Sequence, residues 1–252
     1  METLIFQLQG PLSSWGEPAV GEYRPTAEYP SQSAIQGLLA AALGIVREDA
    51  DAQAALAASY RMAVGVISPG RLLRDYQTAQ VPSRADLKKR PQATRRDELS
   101  LPKYDLNTIL STRDFRLDAS AVVALQMLDG AAYPLARIAE ALRRPKFLLY
   151  LGRKSCPLAA PLHPVLLDVS TVSEAMTAYL EQLSALSASH GIRAKAPSIL
   201  RKIAWGDDFG VDDVATIGRQ RDLSLLRKDR VLARKGWQFG DRREHIALLE
   251  EE

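Results

Sequence analysis

The order in which strand-like and helix-like hydrophobic patterns follow one another constrains the fold of this chain more than any other feature. Alternating apolar side chains indicate strands, and apolar side chains at helical spacing between a capping serine and a terminal glycine indicate a helix. The patterns come in the order strand, helix, strand, strand, strand, helix, strand, over residues 3–9, 31–44, 60–67, 72–78, 119–128, 133–142 and 147–151. A Ser-Pro-Gly turn is predicted to join the strands at 60–67 and 72–78 into a hairpin, and a short alanine-rich helix is predicted near 50–58.

Apart from the extra strand at 72–78, this is the βαββαβ order of a ferredoxin-like (RRM-like) domain, in which two βαβ halves share one antiparallel sheet. We therefore expect an α+β fold. The RNA-recognition motif has this topology and binds RNA on the open face of its sheet, but its aromatic-rich RNP1 octapeptide is absent here. The sequence predicts that topology without that motif's binding site.

Residues 80–110 interrupt the pattern, because they lack apolar periodicity and contain Pro82, Pro91 and Pro102. Such a segment is either a mobile, solvated loop or an arm that orders along RNA or an adjacent subunit. Beyond residue 164 the pattern weakens to a strand at 165–170, a helix from 173 to about 187, an acidic loop and a basic tail. We expect residues 1–160 to form the main domain, with the arm inserted at 80–110, and 161–252 to form a smaller C-terminal lobe.

The 252 residues are 46% hydrophobic and 25% charged, which is typical of a soluble globular protein. No apolar run approaches the roughly 18 residues of a spanning helix, and residues 1–10 lack a secretory leader pattern, so we expect a cytoplasmic protein without membrane contact. With Cys156 as the single cysteine and three scattered histidines, neither a disulfide within the chain nor a Cys-rich zinc site can form. We expect no metal and no cofactor.

The net charge of +3 hides a segregation of the two signs along the chain. Residues 1–60 carry two basic and seven acidic side chains, whereas 84–103 carry seven basic and three acidic ones. Residues 219–243 carry nine basic and three acidic side chains. Clustered positive charge of this kind favours a polyanionic partner.

The segment 150–157 places a glycine directly before two cations and a hydroxyl, after the strand predicted at 147–151. Such a loop can wrap a phosphate: Gly152 lets the backbone approach closely, Arg153 and Lys154 supply charge, and Ser155 supplies a hydroxyl. It lacks the spacing of a Walker A loop, so nucleotide hydrolysis has no support. The alternative is a solvated turn. Cys156 is interpreted as a buried packing residue rather than a nucleophile.

The loop at 10–16 is rich in small residues around one large aromatic, Trp15. This indole either stacks on a base or fills the core beneath the loop. Arg24 is the only cation among the first 46 residues, and an isolated arginine in an acidic neighbourhood is usually an ion-pair partner.

Taken together, these segments resemble the CasD family, the RAMP-superfamily subunits of the type I-E CRISPR Cascade complex. The matching pieces keep their order over roughly the first two-thirds of the chain: 10–16, 24–26, 30–45, 73–78, 118–125 and 145–158. The arginine-rich ending at 219–243 looks similar to the family's ending, and 173–218 has no recognisable counterpart. In this family we expect a second arginine where Lys154 stands, and lysine lacks the planar fork of a bidentate phosphate contact.

The resemblance implies a non-catalytic subunit that binds and caps the 5′ handle of the crRNA and helps to assemble the backbone for antiviral DNA targeting. The implied partners are the crRNA, the Cascade backbone subunits, the large subunit and, through the complex, target DNA. In the family the insertion is a thumb-like arm that reaches the neighbouring backbone subunit. The RNA-binding candidates are Trp15, Arg24, Arg74, Tyr76, Arg84, Lys88, Lys89, Arg90, Arg113, Tyr150, Gly152, Arg153, Lys154, Ser155 and Cys156.

The alternative function is a metal-independent endoribonuclease that processes precursor CRISPR RNA, since relatives of the family in another CRISPR subtype cut RNA. Such cleavage typically needs a general base for the 2′-OH, and histidine is the best suited side chain at neutral pH. The first histidine here is His163, outside the main domain, so an enzyme would have to use tyrosine and lysine or bring in that residue. A free-standing RNA-binding protein fits the charges but leaves the ordered motifs unexplained.

Overall fold

The computed structural model describes residues 1–19, 21–88, 90–189, 199–209, 213–233, 236 and 238–249. The helices are α1 (Gln32–Leu43), α2 (Ala50–Ser59), α3 (Arg95–Glu98), α4 (Leu135–Arg143), α5 (Val172–Ser189) and α6 (Asp213–Ile217). Short 3₁₀ turns cover Lys103–Asp105 and Asp207–Phe209. The strands are β1 (Glu2–Gln9), β2 (Leu12–Ser13), β3 (Trp15–Gly16), β4 (Tyr23–Arg24), β5 (Thr26–Ala27), β6 (Tyr60–Ser68), β7 (Arg71–Pro82), β8 (Leu106–Leu117), β9 (Ser120–Met127), β10 (Val165–Asp168), β11 (Lys202–Gly206), β12 (Leu223–Ala233) and β13 (Gln238–Leu248).

The centre of the molecule is a seven-stranded antiparallel sheet in the order β10-β1-β9-β6-β11-β13-β12. Strand β1 lies between β9 and β10, and Leu4 pairs with Leu125 on one side and Leu166 on the other. The fold is therefore mixed, with helices packed on antiparallel strands. The sheet is continuous across the boundary expected between 160 and 161, and the division of the chain into two units stays a prediction.

Helix α1 begins and ends where its sequence signals predict. The Ser31 side chain accepts a hydrogen bond from the backbone N–H of Ala34, and Gly44 ends the helix in the left-handed region at φ +82°. The buried side of α1, including Ile35 and Leu39, packs with α4 over the face of the sheet that carries Leu4, Phe6 and Leu8. Burial of these apolar side chains holds α1 and α4 on this face.

The opposite face of the sheet is covered as well. Ile5 points away from Leu4 and Phe6, and it packs with Met176 and Tyr179 of α5 in a second buried cluster. The helix predicted from 173 to about 187 is thus confirmed, and it lies on the face that an RNA-recognition motif leaves open. RNA has no access to this part of the sheet, which agrees with the absence of the RNP1 octapeptide.

The predicted hairpin between 60–67 and 72–78 is wrong. Strand β6 pairs with β9 and β11, whereas β7 turns away at Gly70 and pairs with β8 from Arg71↔Leu117 to Pro82↔Leu106. Gly70 has φ +67°, and a β-carbon there would lie 2.4 Å from the carbonyl oxygen of Leu117. The turn therefore requires glycine and directs the chain out of the main sheet.

The β7–β8 ribbon accounts for both ends of the segment 80–110, for which the sequence left open a mobile loop or an ordered arm. Its strands are 12 residues long, and their tip, residues 83–105, holds α3 and one 3₁₀ turn. Large apolar side chains stay exposed along the ribbon, including Leu72, Tyr76 and Ile109. A ribbon with little burial on either face needs no apolar alternation, which is why the period-2 pattern was absent from 80–110.

The strand predicted at 147–151 is also wrong. The backbone N–H groups of Lys146 and Phe147 donate to the last turn of α1, at the carbonyls of Ala42 and Ala41, and do not join the sheet. The strand that follows α4 in the sheet is β10, inside the segment predicted at 165–170. Leu149 and Leu151 are buried as their sequence suggested, but they anchor a loop rather than a strand.

The basic tail forms the β12–β13 hairpin, and two of its arginines form buried ion pairs. Arg242 donates to both oxygens of Asp229 at 2.9 Å and lies 2.5 Å from Glu244, while Arg227 lies 3.3 Å from Glu244 and over the ring of Tyr29. The expectation of a polyanion site is therefore wrong for Arg227 and Arg242, because carboxylates already neutralise them. Within the described ranges no helix has the length and apolarity needed to cross a membrane.

Candidate nucleic-acid interface

The loop at 150–157 packs directly against the loop at 10–16. The backbone N–H of Ser14 donates to the carbonyl of Leu151 at 3.0 Å. Within the loop at 150–157, the backbone N–H of Leu151 donates to the carbonyl of Cys156 at 2.8 Å. The backbone N–H of Cys156 donates to the carbonyl of Arg153, also at 2.8 Å. These bonds hold the glycine, the two cations and the hydroxyl in a tight turn at the molecular surface.

Gly152 is required by this contact. Its φ is +85°, and a β-carbon would come 1.9 Å from the carbonyl oxygen of Ser14. The Ser14 hydroxyl in turn donates to the carbonyl of Asp114 on β8, at 3.0 Å. The glycine predicted to allow close approach to a phosphate thus allows close approach of the two loops.

Trp15 and Cys156 lie beneath this surface. Trp15 is 4% exposed and belongs to the core, and its backbone N–H donates to the Thr26 hydroxyl at 2.8 Å. Burial favours core packing over base stacking for Trp15, because neither ring face is accessible. Cys156 is fully buried, and burial raises the pKa of its thiol, as expected of a packing residue. Both residues support the loop from below.

Three arginines from distant parts of the chain converge at the base of the ribbon. Arg24 on β4 pairs in register with Arg113 on β8, and the guanidinium of Arg153 lies 5.2 Å from the ring centroid of Phe115. Burial, followed by the positive charges of Arg113 and Arg24, lowers the pKa of Arg153. We call Arg24, Arg113 and Arg153 the arginine cluster.

The arginine cluster has no carboxylate partner within the part of the chain that the structure describes. Arg24 donates only to backbone carbonyls, of Gly21 at 2.5 Å and Tyr23 at 3.1 Å. Among the described residues, the ion pair expected for Arg24 is not formed. The three cations repel one another, the nearby carboxylate of Asp114 offsets this only in part at Arg153, and a bound phosphate would relieve the remaining repulsion.

Arg74 lies on the other face of the ribbon. Its guanidinium donates to Asp114, at 2.9 Å from Nε and 3.1 Å from Nη2, and stacks 5.1 Å from the ring centroid of Tyr23. Tyr23 donates its hydroxyl to the same carboxylate at 2.6 Å. The hydrogen bond from Arg74 holds the pKa of Asp114 below its usual range. Arg74 is thus part of an ion pair and stands apart from the arginine cluster.

The remaining candidates are spread over the surface. Lys154 and Ser155 are exposed on the loop beside Arg153, and Tyr150 is half-buried with its backbone bridged to Pro157. Tyr76 is 61% exposed on the same ribbon face as Arg74. Beyond the ribbon, Arg84, Lys88 and Arg90 are exposed at the tip, and Lys89 lies outside the described residues.

Sequence reasoning missed Phe115, which lies beneath Arg153. Residues two apart on a strand share a face, so strand alternation alone would have placed Phe115 beside Arg113. It also missed Arg116, whose buried Nε has no hydrogen-bond partner among the described residues. No local signal marks that atom, because its environment depends on pairing with Ser13 in β2.

A sequence model of the family described as CRISPR-associated protein (Cas_Cas5) matches residues 3–243. The CRISPR system Cascade subunit CasD of Escherichia coli (strain K12) is 34% identical over 185 residues, which cover 70% of this chain and 75% of that protein.

Two solved structures share the fold. A chain of a CRISPR RNA-guided surveillance complex superposes with a TM-score of 0.61 at 22% identity, covering 98% of this chain and 89% of that chain. A structure described as a Cas protein superposes with a TM-score of 0.58 at 26% identity, covering 98% and 94%. The resemblance drawn from the motifs is confirmed, and the chain belongs to the Cas5 family of CRISPR-associated proteins.

Proposed function

We propose that this chain is a non-catalytic subunit of a CRISPR Cascade complex, in the cytoplasm, that binds and caps the 5′ handle of the crRNA. The observation that carries the proposal is the arginine cluster, which brings together three cations, at positions 24, 113 and 153, that form no ion pair among the described residues. The CasD relative is described as a Cascade subunit, and this supports the proposal that the chain belongs to such a complex. A single-stranded RNA offers the closely spaced phosphates that such a cluster would bind.

The loop at 150–157 would fix the register of the RNA. The contact with Phe115 would limit the positions open to the planar fork of Arg153, while the exposed Lys154 would supply a mobile point charge. The exposed Ser155 would add a hydroxyl donor to a phosphate oxygen. Trp15, Gly152 and Cys156 would act indirectly, by holding the loop in this shape.

The ribbon and its tip would contact neighbouring Cascade subunits and the RNA between them. Its exposed apolar side chains, among them Leu73 and Tyr76, suit a protein partner, and the cations Arg84, Lys88 and Arg90 suit RNA. Capping one end of the backbone would place the chain beside both a backbone subunit and the large subunit. Target DNA would be reached only through the complex.

We further infer that β1, α1, β6, β9, α4 and β10 form a ferredoxin-like unit. What supports this is the sheet order β10-β1-β9-β6, with α1 and α4 each connecting two strands that are separated by one neighbour. Because β10 lies beyond residue 160, the unit at 1–160 and the lobe at 161–252 would then share two strand pairings, β1–β10 and β6–β11.

The alternative, cleavage of precursor CRISPR RNA, is not favoured by any contact of the two histidines that the structure describes, His163 and His245; His190 lies outside the described residues. The ring centroid of His163 lies 6.2 Å from that of Tyr179, on the α5 side of the sheet. His245 is 1% exposed, and its ring nitrogens contact Ser224 and Asp207 at 2.7 and 2.5 Å. Neither histidine is presented to the surface that holds the arginine cluster.

The test is binding of handle-containing RNA across a salt series. Each phosphate contact on single-stranded RNA contributes about −0.7 to the slope of log K against log salt. Arg153→Ala with Lys154→Ala should lower the magnitude of the slope by about 1.4 and the affinity about tenfold or more at 0.1 M salt. The matched control removes two exposed cations elsewhere, Arg137→Ala and Lys228→Ala. Equal losses in both variants, or no dependence on salt, would remove the loop from the binding surface.

A further inference from the structure

Asp114 lies beside the arginine cluster without belonging to it. It directly follows Arg113 on β8, and its side chain is only 3% exposed. Its carboxylate accepts hydrogen bonds from Arg74 at 2.9 and 3.1 Å and from the hydroxyl of Tyr23 at 2.6 Å. A buried carboxylate with several donors, one of them a guanidinium, is held in one position.

The carboxylate of Asp114 and the arginine cluster lie on opposite faces of the ribbon. Successive side chains of a strand point to opposite faces, so Asp114 and Arg113 point in opposite directions. The same alternation in β4 puts Tyr23 on the face of Asp114 and Arg24 on the face of Arg113. Tyr23 can therefore bond to Asp114 while Arg24 stays beside Arg113.

Strand β4, which carries Arg24, is weakly attached by its backbone. It is two residues long and pairs with positions 112 and 113 of β8, and the backbone N–H of Thr112 adds one bond to the carbonyl of Glu22 at 3.0 Å. Both residues of β4 are exposed, so burial of apolar surface does not hold this strand. A hydrogen bond to a charged group contributes more than a neutral one, which makes the bond from Tyr23 to Asp114 a main attachment of β4.

The backbone of Asp114 is joined to the loop that carries Arg153. Its carbonyl accepts the hydroxyl of Ser14 at 3.0 Å, and the backbone N–H of Ser14 donates to the carbonyl of Leu151 at 3.0 Å. The loop at 150–157 is thus connected to β8 through Ser14. Asp114 is therefore linked to a neighbour of each of the three cations.

Arg74 limits the repulsion that this carboxylate would exert on RNA. A lone carboxylate beside the cluster would repel phosphates. The two hydrogen bonds from Arg74 neutralise Asp114 on the face away from Arg113. The carboxylate therefore adds little net negative charge to the surface that would meet the RNA.

We propose that Asp114 and Tyr23 are positioning residues for RNA binding, and that the bond between them fixes Arg24 beside Arg113 so that both guanidinium groups meet the RNA backbone together. Tyr23 itself contacts no RNA. Holding Arg24 in place before binding reduces the entropy that is lost on binding. The inference rests on the proposed function, because it concerns the same surface.

The first experiment measures the position of β4 without RNA. Arg24→Cys with Arg113→Cys puts two thiols at paired positions of adjacent strands, about 5 Å apart at Cα, which a disulfide can span. Adding Tyr23→Phe, which removes only the hydroxyl, should slow disulfide formation about fivefold under a fixed oxidant. Tyr133→Phe is the matched control, because its hydroxyl forms no hydrogen bond in the part of the chain that the structure describes. Equal rates with and without Tyr23→Phe would overturn the proposal.

The second experiment compares the binding of handle RNA by Tyr23→Phe, Arg24→Ala and the double variant across a salt series. Each single variant should lose about fivefold in affinity at 0.1 M salt and about 0.7 in the magnitude of the salt slope, the contribution of one phosphate contact. In the Arg24→Ala chain, Tyr23→Phe should change neither quantity, because the residue that it positions is already removed. A purely structural role would lower the melting temperature and leave the salt slope of the folded protein unchanged.

The binding results separate this inference from the proposed function. Additive losses in the double variant would show that Tyr23 contacts RNA directly, which overturns the positioning role. If Arg24→Ala loses affinity and Tyr23→Phe does not, this inference alone fails and the proposed function stands. If Arg24→Ala binds as the parent does, Arg24 contacts no phosphate, and this inference fails together with the place of Arg24 in the proposed interface.

Discussion

The carbonyl oxygen of Ser14 lies so close to the Cα of Gly152 that a β-carbon at position 152 would come within 1.9 Å of it. The contact joins the two loops that carry seven of the fifteen RNA-binding candidates selected from the sequence. Because Gly152 also has φ +85°, two separate constraints require glycine at this position.

Gly152→Ala should therefore destabilise the fold by at least about 2 kcal/mol, since it adds a left-handed alanine and a collision with backbone. Handle-RNA affinity should fall with it, because the loop must move. The matched control is Gly16→Ala, where no atom lies within 4 Å of the added carbon. Thermal melts and filter binding of both variants check this, and equal melting temperatures would mean that the loops are not in contact.

Asp114→Asn should weaken the fold at neutral pH and not in acid. The bond from Arg74 lowers the pKa of Asp114 in the folded state, so its contribution to stability is present above the unfolded pKa of about 4 and is lost as pH falls below it. We expect a melting temperature lower by about 2–4 °C at pH 7, with the gap closing toward pH 3. Denaturation across that pH range measures it, beside Asp129→Asn in an exposed turn. A gap that persists unchanged in acid would contradict the ionic explanation.

Arg242→Ala should be strongly destabilising, because it leaves the buried carboxylates of Asp229 and Glu244 to share Arg227. Breaking a buried pair in this way typically costs about 3–5 kcal/mol. Lys228→Ala, on the same hairpin but exposed, should change stability by less than about 0.5 kcal/mol. Urea denaturation compares the two, and similar midpoints would show that the tail is held by other contacts.

Deletion of residues 84–103, closed by a short Gly-Ser linker, should leave the melting temperature close to that of the parent. The deleted segment lies beyond the paired positions Pro82 and Leu106, and its helix α3 contributes no buried residue. Incorporation into the complex should be poor, since the tip would reach a neighbouring subunit. Aggregation of the deleted form would instead indicate that the tip packs on its own chain.

The purified protein should not process precursor CRISPR RNA. The test is single-turnover incubation with excess protein and repeat-containing RNA, without metal and then with Mg²⁺. A cut at the handle boundary that disappears in His163→Ala or Tyr76→Phe would establish catalysis and overturn our proposal. Degradation that neither variant changes would come from a contaminating nuclease. The expected result is that intact RNA is retained on a filter by the protein.

Local signals in the sequence were sufficient to predict most individual helices and strands. The capping serine at 31 and the glycine at 44 bound α1 correctly, and the alternating segments at 3–9, 60–67 and 119–128 are strands of the sheet. These signals act between residues that are neighbours in the chain, so they can be read without knowledge of the fold.

Which strand pairs with which could not be predicted in the same way. Strand β6 lies beside β9 rather than β7, and Arg24 meets Arg113 through a parallel pairing of β4 with β8. Which strands pair depends on how much apolar surface the whole sheet buries. No short segment of sequence indicates that quantity. Likewise, charge counts in the basic tail did not reveal that Arg242 folds back onto Asp229 and Glu244.

The position of β1 in the middle of the sheet has a consequence during synthesis. The partners of Leu4, Leu125 and then Leu166, are synthesised much later than Leu4 itself. At about 5–20 residues per second the delay is roughly ten seconds or more. Until then β1 lacks both neighbouring strands and Ile5 also lacks α5, and only α1 is made early enough to cover part of Leu4, Phe6 and Leu8. Pairings between such distant segments also form slowly. The yield of folded protein is therefore governed by how well the nascent chain is kept from other unfinished chains, and slower, cooler or chaperone-assisted expression should raise it.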